Sequence, residues 1–359
     1  MPKKVDFIAL YLPQFYPFPE NDAWYGKGFT EWTNVTKAKP LFPGHYEPKL
    51  PADLGFYDLR VPEVRREQAR MAKENGIAAF CYWNYWFGNG YQLLDMPIWE
   101  VHNDPSIDFP FCLAWANESW EKKYWDKKSS NELIVEQKYL GAEDYKQYFY
   151  KMLPLFRDER YYKFDGKLFF IVYNPTASPD LKVFLATWRE LAKKEGLPEF
   201  FFVGKDSDCR NKAGILSFGY DAVYDDNMIN RHHHMNLARK VVKMIQRKYL
   251  GWPTIIKYKD AIRYMVTEND YAEDVIPLIG PNFDHSPRSG RNGFILHDCD
   301  PKYFYQIAKK ACECAKSKKK NHMVIIKAWN EWGEGNYMEP DRKYGHAYLD
   351  VIKRVCEEE

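Results

Sequence analysis

Two glutamates near the C-terminal end of the sequence have a spacing that would let both act on one small substrate. Glu331 and Glu334 lie in the stretch WNEWGEGNYMEP (329–340), directly after the apolar run 323–326. Because successive Cα atoms are about 3.8 Å apart, Cα atoms three residues apart lie at most ~11 Å from each other. Glycosyl hydrolysis or transfer uses a proton donor and a second carboxyl group about 5 to 10 Å apart. The pair therefore predicts the catalytic carboxylates of a carbohydrate-active enzyme.

The glycines and aromatic residues around this pair are consistent with that chemistry. Gly333 and Gly335 would let the backbone turn tightly enough to aim both carboxylates inward. Two neighbouring carboxyl groups in an aromatic pocket are driven toward different pKa values, which suits one acid and one base. The competing interpretation is a loop in which one carboxylate caps a helix and the other forms a salt bridge. The spacing alone leaves both interpretations open.

The composition points toward sugars and away from polyanions. Aromatic residues make up 17% of the chain, with 12 Trp and 27 Tyr, and their flat faces suit sugar rings or protein interfaces. The formal net charge of +2 provides no long-range field for nucleic acid or an anionic membrane. The seven scattered cysteines favour a reducing compartment over a disulfide framework. No apolar stretch approaches the ~20 residues of a membrane span.

From this composition we expect a soluble, cytoplasmic protein with an oligosaccharide or polysaccharide substrate. The apolar segment near the amino terminus is interrupted too soon by Pro13 and Gln14 for a secretory signal. No nucleic-acid partner and no membrane span are expected. The aromatic content leaves the oligomeric state open, because an interface would also use it.

Apolar runs alternate with amphipathic segments along the chain, as in an α/β protein. The predicted strands are 5–12, 78–83, 111–115, 168–173, 200–203, 222–224, 275–279 and 324–328. The predicted helices are 62–75, 93–102, 142–156, 181–195, 303–317 and 346–356. Helical crossovers indicate parallel strands, in a closed barrel or an open doubly wound sheet. No Gly-rich nucleotide-binding turn follows any strand. We therefore predict a single-domain (β/α)8 TIM barrel over 1–359 with long βα loops.

Polar and aromatic residues gather directly after these strands, where barrel enzymes build their sites. The competing interpretation is that polar residues follow strands in any protein because loops are exposed to solvent. Here they stand beside Trp or Tyr at most strand ends, which favours a binding mouth. The predicted substrate-binding residues are Tyr11, Gln14, Trp24, Glu31, Trp32, Trp83, Asn84, Trp86, Trp115, Asn117, Glu118, Tyr173, Lys205, Asp225, Trp329, Asn330, Trp332 and Glu339.

Two stretches resemble metal motifs without meeting the requirements of a metal site. Asp225, Asp226 and Asn227 follow the sixth strand and imitate the acidic motif of some sugar-nucleotide transferases. The adjacent residues His232–His234 cannot converge on one ion from an extended or helical backbone. We predict neither a metal site nor a cofactor.

Four blocks of sequence resemble one known family. They are YLPQFYPFPENDAWYGKGFTEWTNV (11–35), CYWNYW (81–86), LAWANESW (113–120) and WNEWGEGNYMEP. Together they resemble the WbsX-like proteins, which are similar to glycoside hydrolase family 99 and are described as glycosyltransferases of surface polysaccharide synthesis. The resemblance implies a (β/α)8 barrel and metal-independent, retaining action on α-mannosidic bonds.

The resemblance also implies roles for the two glutamates. Glu331 matches the residue that deprotonates the sugar 2-hydroxyl, so that this oxygen attacks the anomeric carbon, and Glu334 matches the acid/base. The chain departs from the hydrolase motif at Gly333, where the hydrolases carry His. Three interpretations follow: a retaining endo-type glycoside hydrolase, which we favour, a glycosyltransferase of O-antigen or capsular polysaccharide synthesis, and a non-catalytic glycan-binding protein.

Overall fold

Eight parallel strands form a closed barrel in the computed structural model, which describes residues 4–122, 132–228, 244 and 246–358. Each strand pairs in parallel with the next, and the eighth pairs with the first. The strands are β1 (Asp6–Tyr11), β2 (Ile77–Gly88), β3 (Phe111–Trp115), β4 (Lys167–Val172), β5 (Phe200–Asp206), β6 (Ala222–Asp225), β7 (Val275–Ile279) and β8 (Met323–Ile326). The (β/α)8 prediction is therefore confirmed.

The strand sequences explain why they are buried on both faces. The run VIPLI of β7 and the run MVII of β8 are fully buried, as expected of barrel strands covered outside by helices. Side chains alternate along each strand between the barrel interior and the helix layer. The helix layer is largely aromatic: Trp188 packs 4.9 Å from Phe170 of β4 between ring centroids.

Nine helices of at least seven residues are present in the described part of the chain. They are α1 (Pro19–Tyr25), α2 (Glu31–Lys37), α3 (Pro62–Glu74), α4 (Met96–Asn103), α5 (Ala142–Arg157), α6 (Leu181–Lys194), α7 (Lys212–Phe218), α8 (Pro301–Ser317) and α9 (Ala347–Glu357). Proline at the first position begins several of them, where its missing N–H costs nothing. The Asp300 side chain caps α8 by accepting from the Lys302 N–H at 2.9 Å.

Long segments at the C-terminal ends of the strands add structure that the periodicity did not predict. Helices α1 and α2 lie between β1 and α3. An antiparallel hairpin of Trp120–Lys122 and Glu132–Val135 follows β3, and Thr254–Lys257 pairs in parallel with Phe294–His297 outside the barrel. These segments shape the rim of the barrel mouth.

The observed elements match the predicted ones closely, with two notable extensions. β2 runs on to Gly88 and β5 to Asp206, so each carries more residues into the mouth than expected. Helix α7 was not predicted. Within the described residues, no helix combines the length and apolarity needed to cross a membrane. The extent of one domain over 1–359 stays a prediction.

Candidate functional site

The stretch that carries the two glutamates forms a tight hairpin directly after β8. Asn330–Glu331 pairs antiparallel with Asn336–Tyr337, and a 3-10 turn, Trp332–Glu334, connects them. Gly335 ends the turn in the left-handed region with φ 50°. A Cβ there would also lie 2.8 Å from the Cβ of Asp284. Both the backbone conformation and the lack of space therefore require glycine at this position. The hairpin brings both glutamates to the barrel mouth.

One guanidinium joins three carboxylates at this point. Arg288 lies on the single-turn helix Ser286–Ser289, and its Nη1 donates to Glu334 Oε1 at 2.6 Å. Its Nη2 lies 3.0 Å from Glu31 Oε2 and 3.6 Å from Glu331 Oε2. Burial alone would lower the pKa of Arg288, but Glu31 and then Glu334 raise it. The cation is therefore fixed among the carboxylates.

The environment of Glu331 favours its neutral form. Burial and, after it, the charge of Glu334 raise the pKa of the Glu331 carboxyl to about 8, although Arg288 and Lys327 oppose the change. Once ionised, a carboxylate with so high a pKa is a strong base for its type. Glu331 is therefore mostly protonated near neutral pH and becomes a base as the pH approaches 8.

The missing side chain at Gly333 makes room for Glu31. A Cβ at this position would overlap Glu31 Oε2 and would lie 3.0 Å from Arg288 Nε. The backbone of Gly333 is outside the left-handed region, so space rather than turning explains the glycine. The Glu31–Arg288 pair thus fills the volume that any side chain at 333 would need.

Lysines and an aromatic ring line another part of the mouth. Lys205, at the end of β5, has its Nζ 3.3 Å from the ring centroid of Tyr173. Lys327, just after β8, pairs with Asp226 at 3.2 Å. Burial lowers the pKa of Lys205 to about 8. Trp83 contacts the Tyr173 ring edge-on at 5.5 Å between centroids.

The ends of β3 and β4 are joined by an amide pair. The Asn117 amide donates to the Asn174 carbonyl at 2.9 Å, and the Asn174 N–H donates to Asn117 Oδ1 at 2.7 Å. The Asn174 amide also donates to Glu118 Oε2 at 3.3 Å. Asn117 therefore shapes the rim, while Glu118 is exposed beside it.

An aromatic wall stands near the glutamates. Trp24 of α1 contacts Trp120 at 5.9 Å, and Tyr85 contacts Trp120 at 5.1 Å between ring centroids. Burial raises the pKa of Tyr85, and Glu331 raises it further, which indicates that Tyr85 is close to Glu331. The half-buried Gln14 contributes its carbonyl, which accepts from the Glu31 N–H at 3.2 Å.

Four predicted substrate-binding residues point away from the mouth. Trp86 stacks on Tyr148 of α5 at 4.7 Å. The hydroxyl group of Tyr148 donates a hydrogen bond to Asn84 Oδ1 at 2.5 Å. Trp115 packs 5.0 Å from Phe184 of α6. Because side chains alternate on a strand, these positions face the helix layer while Trp83 and Tyr85 face inward.

Asp225 is the fourth of these corrections. Its Oδ1 accepts from the Asp208 N–H at 2.6 Å, so its side chain organises the loop after β5. The next residue, Asp226, faces the mouth and pairs with Lys327. Because side chains alternate between the two faces of a strand, Asp226 and not Asp225 faces the barrel mouth.

The other predicted residues of the WNEWGEGNYMEP stretch hold the hairpin from behind. Glu339 is buried and accepts from Trp332 Nε1 at 2.6 Å, from Gln68 Nε2 at 2.6 Å and from the Tyr57 hydroxyl at 3.0 Å. Burial raises the pKa of Glu339 to about 7. Glu339 and Trp332 therefore support the site rather than line it.

Tyr11, Trp32, Trp329 and Asn330 are likewise packed behind the mouth. The Tyr11 hydroxyl donates to Gln68 Oε1 at 2.7 Å, and Trp32 Nε1 donates to the Tyr57 carbonyl at 2.7 Å. Trp329 is fully buried 4.8 Å from Phe80. The Asn330 amide bonds both backbone groups of Leu12, accepting at 2.8 Å and donating at 3.0 Å. These four residues position the first and last strands.

Among the described residues, one cluster has the ligand types of a metal site. His45, Glu47 and Asp284 bring their ligand atoms within 4.8 Å of one another. The Lys49 ammonium contacts Glu47 and lies 2.9 Å from Asp284 Oδ2. Its positive charge thus balances these carboxylates without an ion. His232–His234 lie outside the described residues.

Arg288 and Lys327 were not among the predicted site residues. Arg288 sits in an irregular loop after β7 whose sequence has no periodic pattern. Lys327 follows an apolar strand directly, at the strand-end position that drew attention to the other residues. Lys327 could therefore have been predicted from its place at a strand end, whereas no local sequence pattern identifies Arg288 as a site residue.

Comparisons with known proteins agree with this architecture. The endo-α-mannosidase of glycoside hydrolase family 99 from Bacteroides thetaiotaomicron, in complex with Bis-Tris propane, aligns with a TM-score of 0.61 and 16% identity over 98% of this chain and 96% of that chain. A glycoside hydrolase-like protein aligns with a TM-score of 0.57 and 15% identity over 98% and 94%. At these identities the likeness establishes a shared fold.

Sequence relatives are closer. An uncharacterized protein named WxcX from Xanthomonas campestris pv. campestris is 37% identical over 350 residues, covering 97% of this chain and 49% of the relative. WxcX of a second strain is also 37% identical, over 352 residues. The chain spans about half the length of these curated relatives. A family model described as Glycosyltransferase WbsX matches residues 7–352. The chain therefore belongs to the WbsX family.

Proposed function

We propose that this protein is a retaining glycoside hydrolase of the endo type, with Glu331 and Glu334 as its catalytic residues. The observation that carries the proposal is that one guanidinium, that of Arg288, contacts both carboxylates at the barrel mouth. Contacts of 3.6 Å to Glu331 and 2.6 Å to Glu334 from one guanidinium bring the two carboxylates close enough to act on one sugar.

The proposed first step uses the sugar's own 2-hydroxyl. Ionised Glu331 removes the proton of that hydroxyl, and its oxygen forms a bond to the anomeric carbon. The bond to the leaving oxygen breaks as Glu334 protonates it. Because the pKa of Glu331 is raised to about 8, we expect this step to become faster as the pH rises toward 8 and Glu331 ionises.

The second step reverses the proton movements. Water attacks the anomeric carbon, Glu334 takes a proton from the water, and the bond from the 2-oxygen to the anomeric carbon opens as Glu331 returns its proton. Two inversions at one carbon give net retention. The aromatic wall of Trp24, Tyr85 and Trp120 provides flat faces for neighbouring sugars. An α-mannoside or a related sugar is the proposed substrate.

The roles of Glu331 as base and Glu334 as acid can be distinguished by how the turnover of each variant depends on the leaving group of the substrate. We expect E331Q to lose about 10²–10⁴-fold in turnover of aryl glycosides and polysaccharide alike, since general acid–base groups contribute on that scale. E334Q should lose as much on polysaccharide but far less on a glycoside whose leaving group needs no protonation. E143Q, at an exposed position on α5, is the matched control. Unchanged turnover in both active-site variants would refute the assignment of the two glutamates as catalytic. Glycan binding by the wild type without turnover of any of these substrates would show a non-catalytic glycan-binding protein.

A glycosyltransferase of O-antigen or capsular polysaccharide synthesis is the second candidate, favoured by the name of the matching family. The proposed hydrolase requires no nucleotide. Calorimetric titration with UDP-, GDP- and TDP-sugars separates the two. Micromolar binding of one of them, together with no hydrolysis of any oligosaccharide, would replace the hydrolase by the transferase.

A further inference from the structure

The lysine side of the mouth contains an ammonium group with no anionic partner. Lys205 is half-buried, and its Nζ rests 3.3 Å from the ring centroid of Tyr173. Within the described ranges, no carboxylate oxygen lies within 4.0 Å of that nitrogen. An ammonium withdrawn from water normally gains a partner, because its desolvation is costly. Lys205 is therefore able to bind an anionic group of a ligand.

The carboxylates nearest to Lys205 are held by other donors. Asp226, Glu118 and Glu334 all act electrostatically on Lys205. Each has a shorter interaction of its own: Asp226 with Lys327 at 3.2 Å, Glu118 with the Asn174 amide at 3.3 Å, and Glu334 with Arg288 at 2.6 Å. These interactions leave the charge of Lys205 available to a ligand.

The segment after β6 has no carboxylate to offer either. Residues 229–243 contain no Asp or Glu and four Lys or Arg in their sequence. The remaining acid beside the lysine, Asp206, is buried and accepts from the backbone N–H groups of Ser207 and Asn211 at 2.7 and 3.0 Å. Among the residues that the structure describes, Lys205 thus has no dedicated counter-charge.

Lys205 also opens onto a cleft large enough for a sugar. The cleft has a volume of about 410 Å³, within the size range of small-molecule sites. Donors and acceptors line it beside the lysine, including Asn174, Thr176, Arg210 and Asn211. Tyr173 belongs both to this cleft and to the mouth that holds the glutamates, so the two spaces adjoin.

We propose that Lys205 binds an anionic substituent of the substrate, a carboxylate or a phosphate, in the cleft beside the glutamate cluster. The site then selects acidic glycans, those with a uronic acid or a phosphorylated sugar, over neutral ones. The proposal rests on the proposed function only in taking the ligand to be a sugar.

Direct binding tests this without any turnover. Calorimetric titration compares glucuronate and galacturonate with glucose and galactose, and mannose 6-phosphate with mannose. We expect at least one charged sugar to bind at least about tenfold more tightly than its neutral parent. Comparing the uronates with their neutral parents, and mannose 6-phosphate with mannose, shows whether Lys205 prefers a carboxylate or a phosphate. K205M should abolish the preference and K205R should retain it.

Lys182 provides a matched control, since its Nζ also lies over an aromatic ring, 4.8 Å from the centroid of Phe218, and it does not line the cleft. K182M should keep the full preference. A second readout uses protons: because burial lowers the pKa of Lys205 to about 8, an arriving anion should raise it again. Titration at pH 8.5 in buffers of different ionisation enthalpy should show more proton uptake in the wild type than in K205M.

Two results would overturn the proposal. One is equal affinity for every charged sugar and its neutral parent in the wild type, and the other is a charge preference that survives in K205M. Neither depends on hydrolysis. A protein that binds acidic sugars through Lys205 but cleaves nothing would refute the hydrolase and leave this inference intact.

Discussion

Replacing Gly333 by alanine tests whether the Glu31–Arg288 pair occupies the space at this position. The new Cβ would overlap Glu31 Oε2, so the carboxylate must leave its place 3.0 Å from Arg288 Nη2. Breaking a buried ion pair costs about 3–5 kcal/mol. Arg288 keeps its contacts with Glu331 and Glu334, so we expect the lower end, about 3 kcal/mol.

That loss corresponds to a measurable change in Tm. An unfolding entropy of about 2.1 cal/mol/K per residue gives roughly 0.75 kcal/mol/K for 359 residues. A loss of about 3 kcal/mol then lowers Tm by about 4 °C. The control is G214A, where the new Cβ meets only the side chain of the exposed Asn211, which can swing away. G214A should leave Tm within about 1 °C of the wild type, since surface substitutions usually change stability by no more than about 0.5 kcal/mol.

A double-mutant cycle decides between a clash with Glu31 and general damage to the hairpin. In an E31A background the carboxylate is absent, so the additional G333A change should cost little, and the coupling energy should be close to 3 kcal/mol in magnitude. Equal losses in Tm from G333A in the wild-type and E31A backgrounds would show that the reasoning about space at this position is wrong.

Two further predictions concern the same mouth. Because the folded-state pKa of Glu331 is raised to about 8 from 4.5, its contribution to stability is fully present below pH 4.5 and is lost as the pH rises through 8; Tm of the wild type relative to E331Q should therefore fall between pH 5 and pH 9, and a constant difference would contradict the assigned shift. Trp86 faces the helix layer and donates to Asp144 at 3.0 Å, so W86F should lower the free energy of unfolding by about 1.5–3 kcal/mol with KM unchanged. W83A, at a position facing the mouth, should raise KM instead, and the opposite pattern in a kinetic comparison of the two would reverse the assignment of faces.

The barrel was predictable because its physical cause repeats along the chain. Each buried strand needs apolar residues on both faces and most crossovers use an amphipathic helix, so the sequence shows eight strand patterns and six helix patterns. The glutamate pair was noticed for a different reason. Carboxylates beside two indoles and two glycines serve neither a dry core nor an ordinary loop, so the mixture itself drew attention.

Residue faces and loop contributions were less accessible. The predicted site residues are polar and aromatic residues at strand ends on either face, although alternation directs Asn84 and Trp86 toward the helices and Asp225 toward the loop after β5. The alternation depends on where a strand ends, and β2 continues beyond its predicted end. Arg288 comes from a loop without periodicity, so only the folded chain brings it to the glutamates. Long-range placement of this kind has no local signature in the sequence.

The join between β8 and β1 has a consequence for how the protein is made. Until residues 323–326 are synthesised, β1 lacks its partner β8, and a sheet of the first seven strands would have two exposed edges. The Asn330 amide then fastens the last strand to Leu12 of the first. The glutamate next to it arrives in the same event. A chain that ends before residue 323 therefore lacks both the strand that closes the barrel and the two glutamates proposed as catalytic.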